Sequence, residues 1–346
     1  MDKKGCVRTI YEAGFRDARE WTDWYFDRVY NDEDALTVIN QDGETVAALM
    51  LTQYRFDMLR TPLTCSYISG ATTLRRHRGQ GHMSALMREA LSLSQQRGDA
   101  ICCLIPAADR LYGFYNRFDF ETVFFVDELR YTSVHKFDDN EHFTESTPDY
   151  ETFERLEDLH PTGMRHSRRD FDNILTDNRL DGGIVAAVSD GDGAAGMAFA
   201  TVSADCVTVR ALLADNEDAA EAVLAAVKRR SGEKRFIVWA RPGERRAPLR
   251  ARAMARIIDV EKLLGAVAAS DRRLDCVIRV HDRLLAANNG VFIIREGHVE
   301  KADSTMRRLS LDISIGTLTK LLFSSRSIGE IFSLPTTRPS ISLMLD

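Results

Sequence analysis

Residues 76–87 read RHRGQGHMSALM and place Gly79 and Gly81 among arginines and histidines, directly before a run with helical spacing. From Met83 onward the apolar residues recur every three or four positions, as on one helix face. Residues 63–73, before the loop, have the pattern of a strand. A strand, a glycine loop and an immediate helix present unpaired backbone N–H groups at a positive helix end, where a pyrophosphate is a natural guest.

The glycines permit close approach of an anion, because no Cβ atom stands in the way. Arg78 adds a charge-assisted donor. An ordinary strand-to-helix turn is the alternative, since glycine-rich loops are common. The spacing fits neither a P-loop, which needs a lysine followed by serine or threonine, nor a Rossmann fingerprint, which needs three glycines and an acid about twenty residues on.

This segment resembles the coenzyme A motif of GNAT-type N-acetyltransferases, Arg/Gln-x-x-Gly-x-Gly/Ala, here RGQGHM at residues 78–83 with Met83 in place of the last small residue. Residues 67–87 and 102–120 together are similar to the Eis-like branch of that superfamily. The end of the chain resembles the sterol-carrier-protein-like domain that closes Eis-like chains. The resemblance implies an α/β (α+β) fold with two tandem GNAT-type mixed-sheet domains before that last domain.

The order of strand and helix patterns predicts three domains, because 346 residues exceed one ordinary core. The resemblance implies that they are an N-terminal GNAT acetyltransferase domain at 1–135, a second, degenerate GNAT-like domain at 148–241, and a sterol-carrier-protein-like domain at 253–346 whose tail reaches the active site. Polar stretches at 136–150 and 241–252 are predicted to be linkers.

The second domain repeats the strand–helix–strand order of the first. Its junction at residues 213–218 carries acids where the first domain has arginine and glycine, so we do not expect a phosphate there. In the third domain we expect strands at 274–280 and 290–295 and helices at 259–269, 313–323 and 327–332.

The resemblance also implies how acetyl-CoA is held. In the family, the strand before the motif splays from its neighbour and pairs with the pantetheine arm, and the following loop cradles the pyrophosphate. The residues that match these positions are Ala71, Thr72, Thr73, Arg78, Gly79, Gln80, Gly81, His82, Met83 and Ser84.

A tyrosine in the helix after the next strand serves the family as general acid toward the departing thiolate. Tyr115 best matches the family pattern Tyr-x-Arg-Phe-x-Phe/Tyr, and Tyr112 is the second choice. A tyrosine has a pKa near 10 and a thiol about 8.5, so the proton transfer is balanced or mildly uphill. The alternative is a packing role, because Leu111, Tyr115 and Phe118 share a helical face.

Eis-like enzymes return their terminal carboxylate to the N-terminal active site. Residues 339–346, PSISLMLD, have the length of that motif, and the resemblance assigns Asp346 to holding the amine and passing its proton through water. A free α-carboxyl is too weak a base for direct deprotonation. The alternative is a frayed tail, as many chain termini are.

The acceptor is less clearly specified. Residues 17–30 predict an amphipathic helix with an aromatic face, and Trp21 and Trp24 beside acids suit a cationic amine through cation-π contacts. The alternative is that this stripe is core. We expect transfer of an acetyl group to a primary amine of a small molecule, an aminoglycoside-like compound or a lysine; the competing function is a lipid- or acyl-CoA-binding or sensing protein that uses the last domain.

Composition and residue spacing also limit which partners, metals and cellular locations we expect. The net charge of −6 does not favour nucleic acid as a partner. The six cysteines lack the spacing of a zinc site or a disulfide framework, and His77 and His82 have no companion ligand, so we expect no metal. No signal-peptide core and no membrane span are recognisable, which favours the cytoplasm. Family members often form higher oligomers, so a homo-oligomer stays open.

Overall fold

The computed structural model describes residues 2–244, 247–302, 310–323 and 337–345. The predicted helix at 327–332 and the terminal Asp346 lie outside these ranges. Along the described ranges, no helix combines the length and apolarity needed to cross a bilayer.

Two compact units make up the chain. Unit 1 comprises Met1–Phe124 and Arg252–Pro339, and unit 2 comprises Phe125–Ala251 with the tail segment Ser340–Leu345.

The first part of unit 1 alternates helices and strands. These elements are α1 (Lys3–Gly14), α2 (Arg19–Trp24), β1 (Ala35–Ile39), β2 (Thr45–Met58), β3 (Thr61–Thr73), α3 (His82–Gln96), β4 (Ile101–Leu104) and α4 (Tyr112–Asn116). The predicted helix at residues 17–30 is α-helical only in α2 and continues as a π-helical turn, Tyr25–Val29.

Strands β1 and β2 form an antiparallel hairpin. β3 lies antiparallel to β2 and parallel to β4, and α3 makes the crossover between the parallel strands. The predicted apolar face of α3 is confirmed, because Leu86, Met87, Ala90 and Leu91 are buried. Burial of that face fixes the helix, and therefore its N-terminal loop, against the sheet.

A strand occupies part of the predicted linker at 241–252. β12 (Leu249–Ile257) lies antiparallel to β4, from Met254 opposite Leu104 to Ile257 opposite Ile101. The linker prediction is therefore wrong from residue 249 onward. The prolines that suggested a linker, Pro242 and Pro248, precede the strand, and the alternation of arginine with alanine in residues 250–253 has the period of two that strands show.

The remainder of unit 1 is a second, smaller sheet with order β15-β14-β13-β16. Its elements are α8 (Val260–Ser270), β13 (Cys276–His281), β14 (Gly290–Arg295), β15 (His298–Ala302), β16 (Leu311–Ser314) and α9 (Ile315–Phe323). The helix predicted from residue 313 begins two residues later, because Ile313 and Ser314 still pair with β13.

Unit 2 is built around a sheet of order β5-β11-β10-β9-β8-β6. Its elements are β5 (Glu121–Tyr131), β6 (Thr144–Ser146), α5 (Tyr150–Asp158), β7 (Gly163–Arg165), α6 (Arg168–Leu180), β8 (Ile184–Ser189), β9 (Ala195–Val202), β10 (Cys206–Ala214), α7 (Glu217–Ser231) and β11 (Arg235–Ala240). The expected linker at 136–150 is wrong in part, because it contains β6 and the buried Phe137.

Helix α6 was not predicted, although its start carries a recognisable signal. Ser167 accepts a hydrogen bond from the backbone N–H of Asp170, and the Asp170 carboxylate accepts one from the backbone N–H of Ser167. This reciprocal capping box is a sequence-level mark of a helix start. The low apolar content of the helix hides its periodicity.

Candidate active site

Strands β3 and β4 run side by side for only part of their length. The parallel ladder extends from Cys65 opposite Ile101 to Ile68 opposite Leu104. β3 then continues to Thr73 while β4 has ended, so the edge of residues 69–73 that faces away from β2 no longer pairs with β4. An extended ligand arm with amide groups can pair with such an edge.

A β-bulge coincides with the end of this ladder. Met50 of β2 lies opposite Ser69 and Ala48 lies opposite Thr72, so β3 carries one extra residue between them. Gly70 stands there with φ +59°, a conformation that favours glycine. Bulges re-aim strands and are frequent beside active sites. The predicted pantetheine-binding residues Ala71, Thr72 and Thr73 follow directly.

The loop after β3 takes the conformation that its glycines allow. Gly79 and Gly81 have φ of +77° and +86°, and a Cβ atom at either position would meet nothing within 4 Å. Gly81 is the N-cap of α3 and supplies no side-chain cap. Both positions therefore require glycine for backbone conformation and leave open space beside the chain.

The backbone N–H groups of residues 79–84 have no hydrogen-bond acceptor among the described residues. They comprise the loop amides and the first-turn amides of α3, which an α-helix cannot satisfy internally. Unsatisfied donors at the positive end of a 15-residue helix are able to bind an anion, and we call the amides of residues 79–84 the nest. This group of amides contains every predicted cofactor-binding residue from Gly79 to Ser84.

Loop side chains are oriented by contacts within the loop. The Arg78 Nε donates to the carbonyl of Thr73 at 3.1 Å, and its terminal guanidinium nitrogens make no bond among the described residues. The Gln80 Nε2 donates to the carbonyl of Arg76 at 3.4 Å, and His82 Nε2 lies 3.3 Å from Gln80 Oε1. Arg78 thus keeps free donors at an exposed position beside the nest.

His77 and His82 flank the glycines of the loop. The His77 and His82 rings lie 6.3 Å apart, and the described ranges contain no group of three or more side chains able to ligate a metal. His77 instead lies 3.4 Å from Glu44, which also pairs with Arg76.

A buried carboxylate that sequence reasoning missed ties the site's elements together. Asp99 is fully buried and accepts hydrogen bonds from Ser66 of β3, Ser94 of α3 at 2.8 Å and Gln53 of β2 at 2.8 Å. Satisfied buried networks of this kind fix relative positions of elements. Nothing in the local sequence signals it, because its three partners lie on three separate elements.

Tyr115 lies in α4 with its ring in the core of unit 1. The residue is 7% exposed and belongs to the same apolar cluster as Ile68 and Leu104, the last pair of the β3–β4 ladder. Burial raises the pKa of Tyr115 to about 12. Its hydroxyl has no hydrogen-bond partner among the described residues, whereas Tyr112 is only half-buried and does interact. The ring packs, and the hydroxyl is available.

The aromatic residues proposed for the acceptor form a stacked cluster. Trp21 is 4% exposed and stacks on Tyr25 with ring centroids 5.1 Å apart, while Trp24 is half-buried and meets Trp21 edge-on at 6.1 Å. Asp23 is already paired with Arg8 at 2.5 Å. Trp21 is therefore mainly a packing residue, and Trp24 is the more accessible of the two.

The C-terminal tail is packed against unit 2. The Met164 backbone N–H donates to the carbonyl of Ser340 at 3.0 Å, next to a parallel bridge between Gly163 and Ser340. The apolar tail side chains are buried, namely Ile341, Leu343, Met344 and Leu345. A frayed tail is thus excluded for residues 340–345. Asp346, whose carboxylate was predicted to act, lies outside the described residues.

Unit 2 repeats the strand–helix–strand arrangement. β10 and β11 pair in parallel from Cys206 opposite Arg235 to Val209 opposite Val238, and β10 has a bulge at Arg210. At the start of α7, however, the Asn216 side chain accepts from the backbone N–H of Ala219. The protein's own side chain therefore caps this helix start, whereas the start of α3 has no side-chain cap.

Comparison with known families gives two matches. Residues 5–123 match the acetyltransferase (GNAT) domain and residues 260–334 match the sterol carrier protein domain. No curated protein matches the sequence.

Solved structures share the fold over nearly the whole chain. Eis1 from Mycobacterium abscessus is 15% identical with a TM-score of 0.70, over 95% of this chain and 88% of that one. A GCN5-related N-acetyltransferase from Anabaena variabilis is 16% identical with a TM-score of 0.73, over 97% and 91%. One from Kribbella flavida is 19% identical with a TM-score of 0.70, over 92% and 85%. At such identities the likeness establishes the α+β architecture of mixed sheets and no more.

Proposed function

We propose that the chain is a GNAT-type acyltransferase that transfers the acetyl group of acetyl-CoA to a primary amine by direct attack. The match of residues 5–123 to the acetyltransferase (GNAT) domain supports this proposal, and residues 260–334 match a sterol carrier protein domain. A GNAT domain needs an acyl-CoA donor and an acceptor.

The amides of residues 79–84 are the single observation that carries the proposal. They stand beside an edge of β3 that β4 leaves unpaired. A diphosphate fits the nest, Arg78 fits its charge, and the unpaired edge at Ala71, Thr72 and Thr73 fits an amide-bearing arm. Held at both points, the thioester has a fixed position, and fixed position supplies a large part of the rate such an enzyme can reach.

Tyr115 then donates a proton to the sulfur as the C–S bond breaks. With its pKa at about 12, the phenol stays protonated across the physiological range. The same elevation makes full transfer to a thiolate of pKa about 8.5 uphill, so the donation has to accompany bond cleavage rather than follow it. Tyr112 remains the second choice for this role.

The terminal carboxylate of Asp346 is proposed to hold the incoming amine and relay its proton through water. Support comes from the preceding residues, because a buried and hydrogen-bonded tail can deliver its end to a defined place. Extension of the chain by four glycines beyond Asp346 should lower kcat strongly; undiminished turnover would remove the terminus from the mechanism.

Trp24 is proposed as a contact for a cationic acceptor, and Trp21, which packs against it, is proposed to support it.

A lipid- or acyl-CoA-binding protein is the second candidate, and the sterol carrier match favours it. The described apolar side chains of that region are used for packing, as in Phe323, which is buried and meets Phe56 edge-on at 5.9 Å. A thermal-shift comparison separates the two functions, because only a ligand that binds the folded state raises Tm. We expect a rise with acetyl-CoA; a rise with oleate alone would favour the second function.

Activity itself is tested with an amine panel, in which coenzyme A release is followed by a thiol reagent. The panel should include a polyamine, an aminoglycoside and a lysine peptide, each compared with a no-amine blank. Turnover with at least one amine is expected. Hydrolysis of acetyl-CoA at the same rate with and without amines would contradict amine transfer.

A further inference from the structure

Helix α4, which carries Tyr115, is only five residues long and ends in a Schellman motif. The backbone N–H of Phe120 donates to the carbonyl of Tyr115 at 3.4 Å, and that of Asp119 donates to the carbonyl of Asn116 at 3.0 Å. Asp119 takes the left-handed position with φ +60°, where glycine is usual. So short a helix has little stability of its own and depends on its ends.

Two carbonyls at this helix end remain outside the Schellman motif, those of Arg117 and Phe118. Both accept hydrogen bonds from arginines of the C-terminal half of the chain. The Arg283 Nη2 donates to the carbonyl of Arg117 at 2.6 Å, and the Arg256 Nε donates to the carbonyl of Phe118 at 2.8 Å. Arginines suit a helix C-terminus, because the partial charge there is negative.

The same arginines are themselves held in place. Arg256 is fully buried and pairs with the fully buried Asp282 at 2.7 Å, and Asp282 also accepts from the backbone N–H groups of Leu284 and Leu285. Arg283 pairs with Asp119 at 3.2 Å and so holds the strained left-handed residue. Each buried charge is satisfied by several partners, which makes the arrangement rigid rather than incidental.

We propose that Arg283 and Arg256 are positioning residues for Tyr115. Arg283 lies in the loop of the sterol carrier domain after β13, and Asp282 of the same loop holds Arg256 of β12, so that this loop completes the acetyltransferase site from outside it. This inference rests on the proposed role of Tyr115 as proton donor. It gives the C-terminal domain a function in catalysis that needs no lipid: it supplies the missing caps of the helix that carries the phenol.

The test uses Arg283, because its side chain is 63% exposed and can be removed without opening the core. In the full-length protein, Arg283→Ala should lower kcat about tenfold and leave KM for acetyl-CoA within about twofold, since a small misplacement of a reacting group is costly to rate. The matched control is Arg295→Ala. That arginine is also 63% exposed and pairs with Asp275 at 3.1 Å in the same domain, so kcat should not change.

Repeating the Arg283→Ala substitution in the Tyr115→Phe variant separates a positioning role from a general loss of structure. In Tyr115→Phe, Arg283→Ala should change the residual rate less than twofold, because the group it positions is gone. An equal tenfold loss in both backgrounds would overturn the proposal. So would an unchanged kcat in Arg283→Ala alone.

Failure of the proposed function itself gives a different result. If Tyr115→Phe retains full activity, the phenol is not the proton donor, and the positioning role for that phenol is overturned with it. The cap can still be judged separately by hydrogen exchange, since the amides of Asp119 and Phe120 should exchange faster in Arg283→Ala than in Arg295→Ala. Adding Asp119→Gly should restore both protection and kcat in part, because glycine takes the left-handed position without Arg283.

Discussion

The parallel pairs β3–β4 of unit 1 and β10–β11 of unit 2 share one backbone plan and differ in what surrounds it. In unit 1, β3 and β4 pair over four residues before a bulge at Gly70; in unit 2, β10 and β11 pair over four residues before a bulge at Arg210. A helix makes the crossover in both, α3 and α7. The strand pairing and the crossover helix alone therefore do not determine whether a diphosphate binds.

The difference begins at the first turn of the crossover helix. α3 starts at Gly81 with its amides unsatisfied, whereas α7 starts at Asn216, whose side chain caps it, followed by Glu217 and Asp218. The first arrangement attracts an anion and the second repels one.

The space beyond each ladder differs as well. In unit 2, a cleft beyond the ladder is lined by Leu213 of β10, Ala240 of β11 and the tail residues Ser340, Ile341 and Ser342. In unit 2, the tail thus occupies the position that corresponds to the proposed site of the pantetheine arm beyond β3 and β4 in unit 1. After β4 the chain forms α4 with Tyr115, whereas no helix follows β11 before β12 among the described residues. In the proposed function, the first strand pair binds the cofactor; the second holds the tail.

The largest expected effect comes from taking away the group that only the first strand pair has. Tyr115→Phe should lower kcat by two orders of magnitude or more, because loss of a general acid typically has this size. Steady-state thiol release measures it, with Tyr112→Phe assayed beside it. A full loss in Tyr112→Phe and none in Tyr115→Phe would transfer the role to Tyr112.

The pH profile of the parent enzyme sharpens the same point. Burial raises the pKa of Tyr115 to about 12, so its acid form is present at lower pH and is lost only as pH rises through that value. The kcat should therefore not fall between pH 7 and about pH 10 for want of the phenol proton. A descending limb centred below pH 9.5 that disappears in Tyr115→Phe would contradict the assignment.

The next effect follows from copying the second junction into the first. The double substitution His82→Glu with Met83→Asp places two carboxylates in the first turn of α3, as in α7. Repulsion of about 1.4 kcal/mol for each should weaken acetyl-CoA binding about a hundredfold. Isothermal calorimetry measures Kd. Glu217→Gln with Asp218→Asn is the matched control and should leave Kd unchanged. Equal weakening in the two double variants would show that acetyl-CoA does not bind at the amides of residues 79–84.

A smaller effect is expected from Gly81→Ala. The added methyl group meets no protein atom but strains φ at +86° and narrows the approach of an anion, so Kd should rise about tenfold. Gly191→Ala is the control, because Gly191 has φ +82° and equally open surroundings in unit 2. Both variants should lose similar stability, and Kd should change only in Gly81→Ala. An unchanged Kd in Gly81→Ala would argue against close approach of the diphosphate to the backbone there.

The smallest effect concerns the second junction. Asn216→Ala removes the cap of α7 and should lower the free energy of unfolding by about 1 kcal/mol. Urea denaturation measures this loss. Binding of acetyl-CoA should be unaffected, and appearance of a second binding site in calorimetry would show that the cap alone had blocked it.

Sequence reasoning was strongest where the determinants are local. The glycines at 79 and 81 and the apolar face of α3 are each readable within a few residues, and the structure confirms the helix that they predict. The placement of the cofactor residues and of Tyr115 remains a proposal, although the structure brings the loop amides together as expected.

The misses have a common cause in long-range partners. Arg256 looks like one of several exposed arginines until Asp282, 26 residues away, neutralises it in the core. β12 is consequently hidden within a basic stretch. Asp99 gains its place only from three elements that converge on it. The tail gives no sign in sequence of the cleft against which it packs.

The central claim is that the amides of residues 79–84 hold the diphosphate of acetyl-CoA. A crystal structure of the protein with coenzyme A tests it most directly. The account predicts diphosphate oxygens within hydrogen-bond distance of several of those backbone nitrogens, with the pantetheine arm along residues 71–73. A diphosphate bound at the start of α7, or anywhere away from α3, would contradict it.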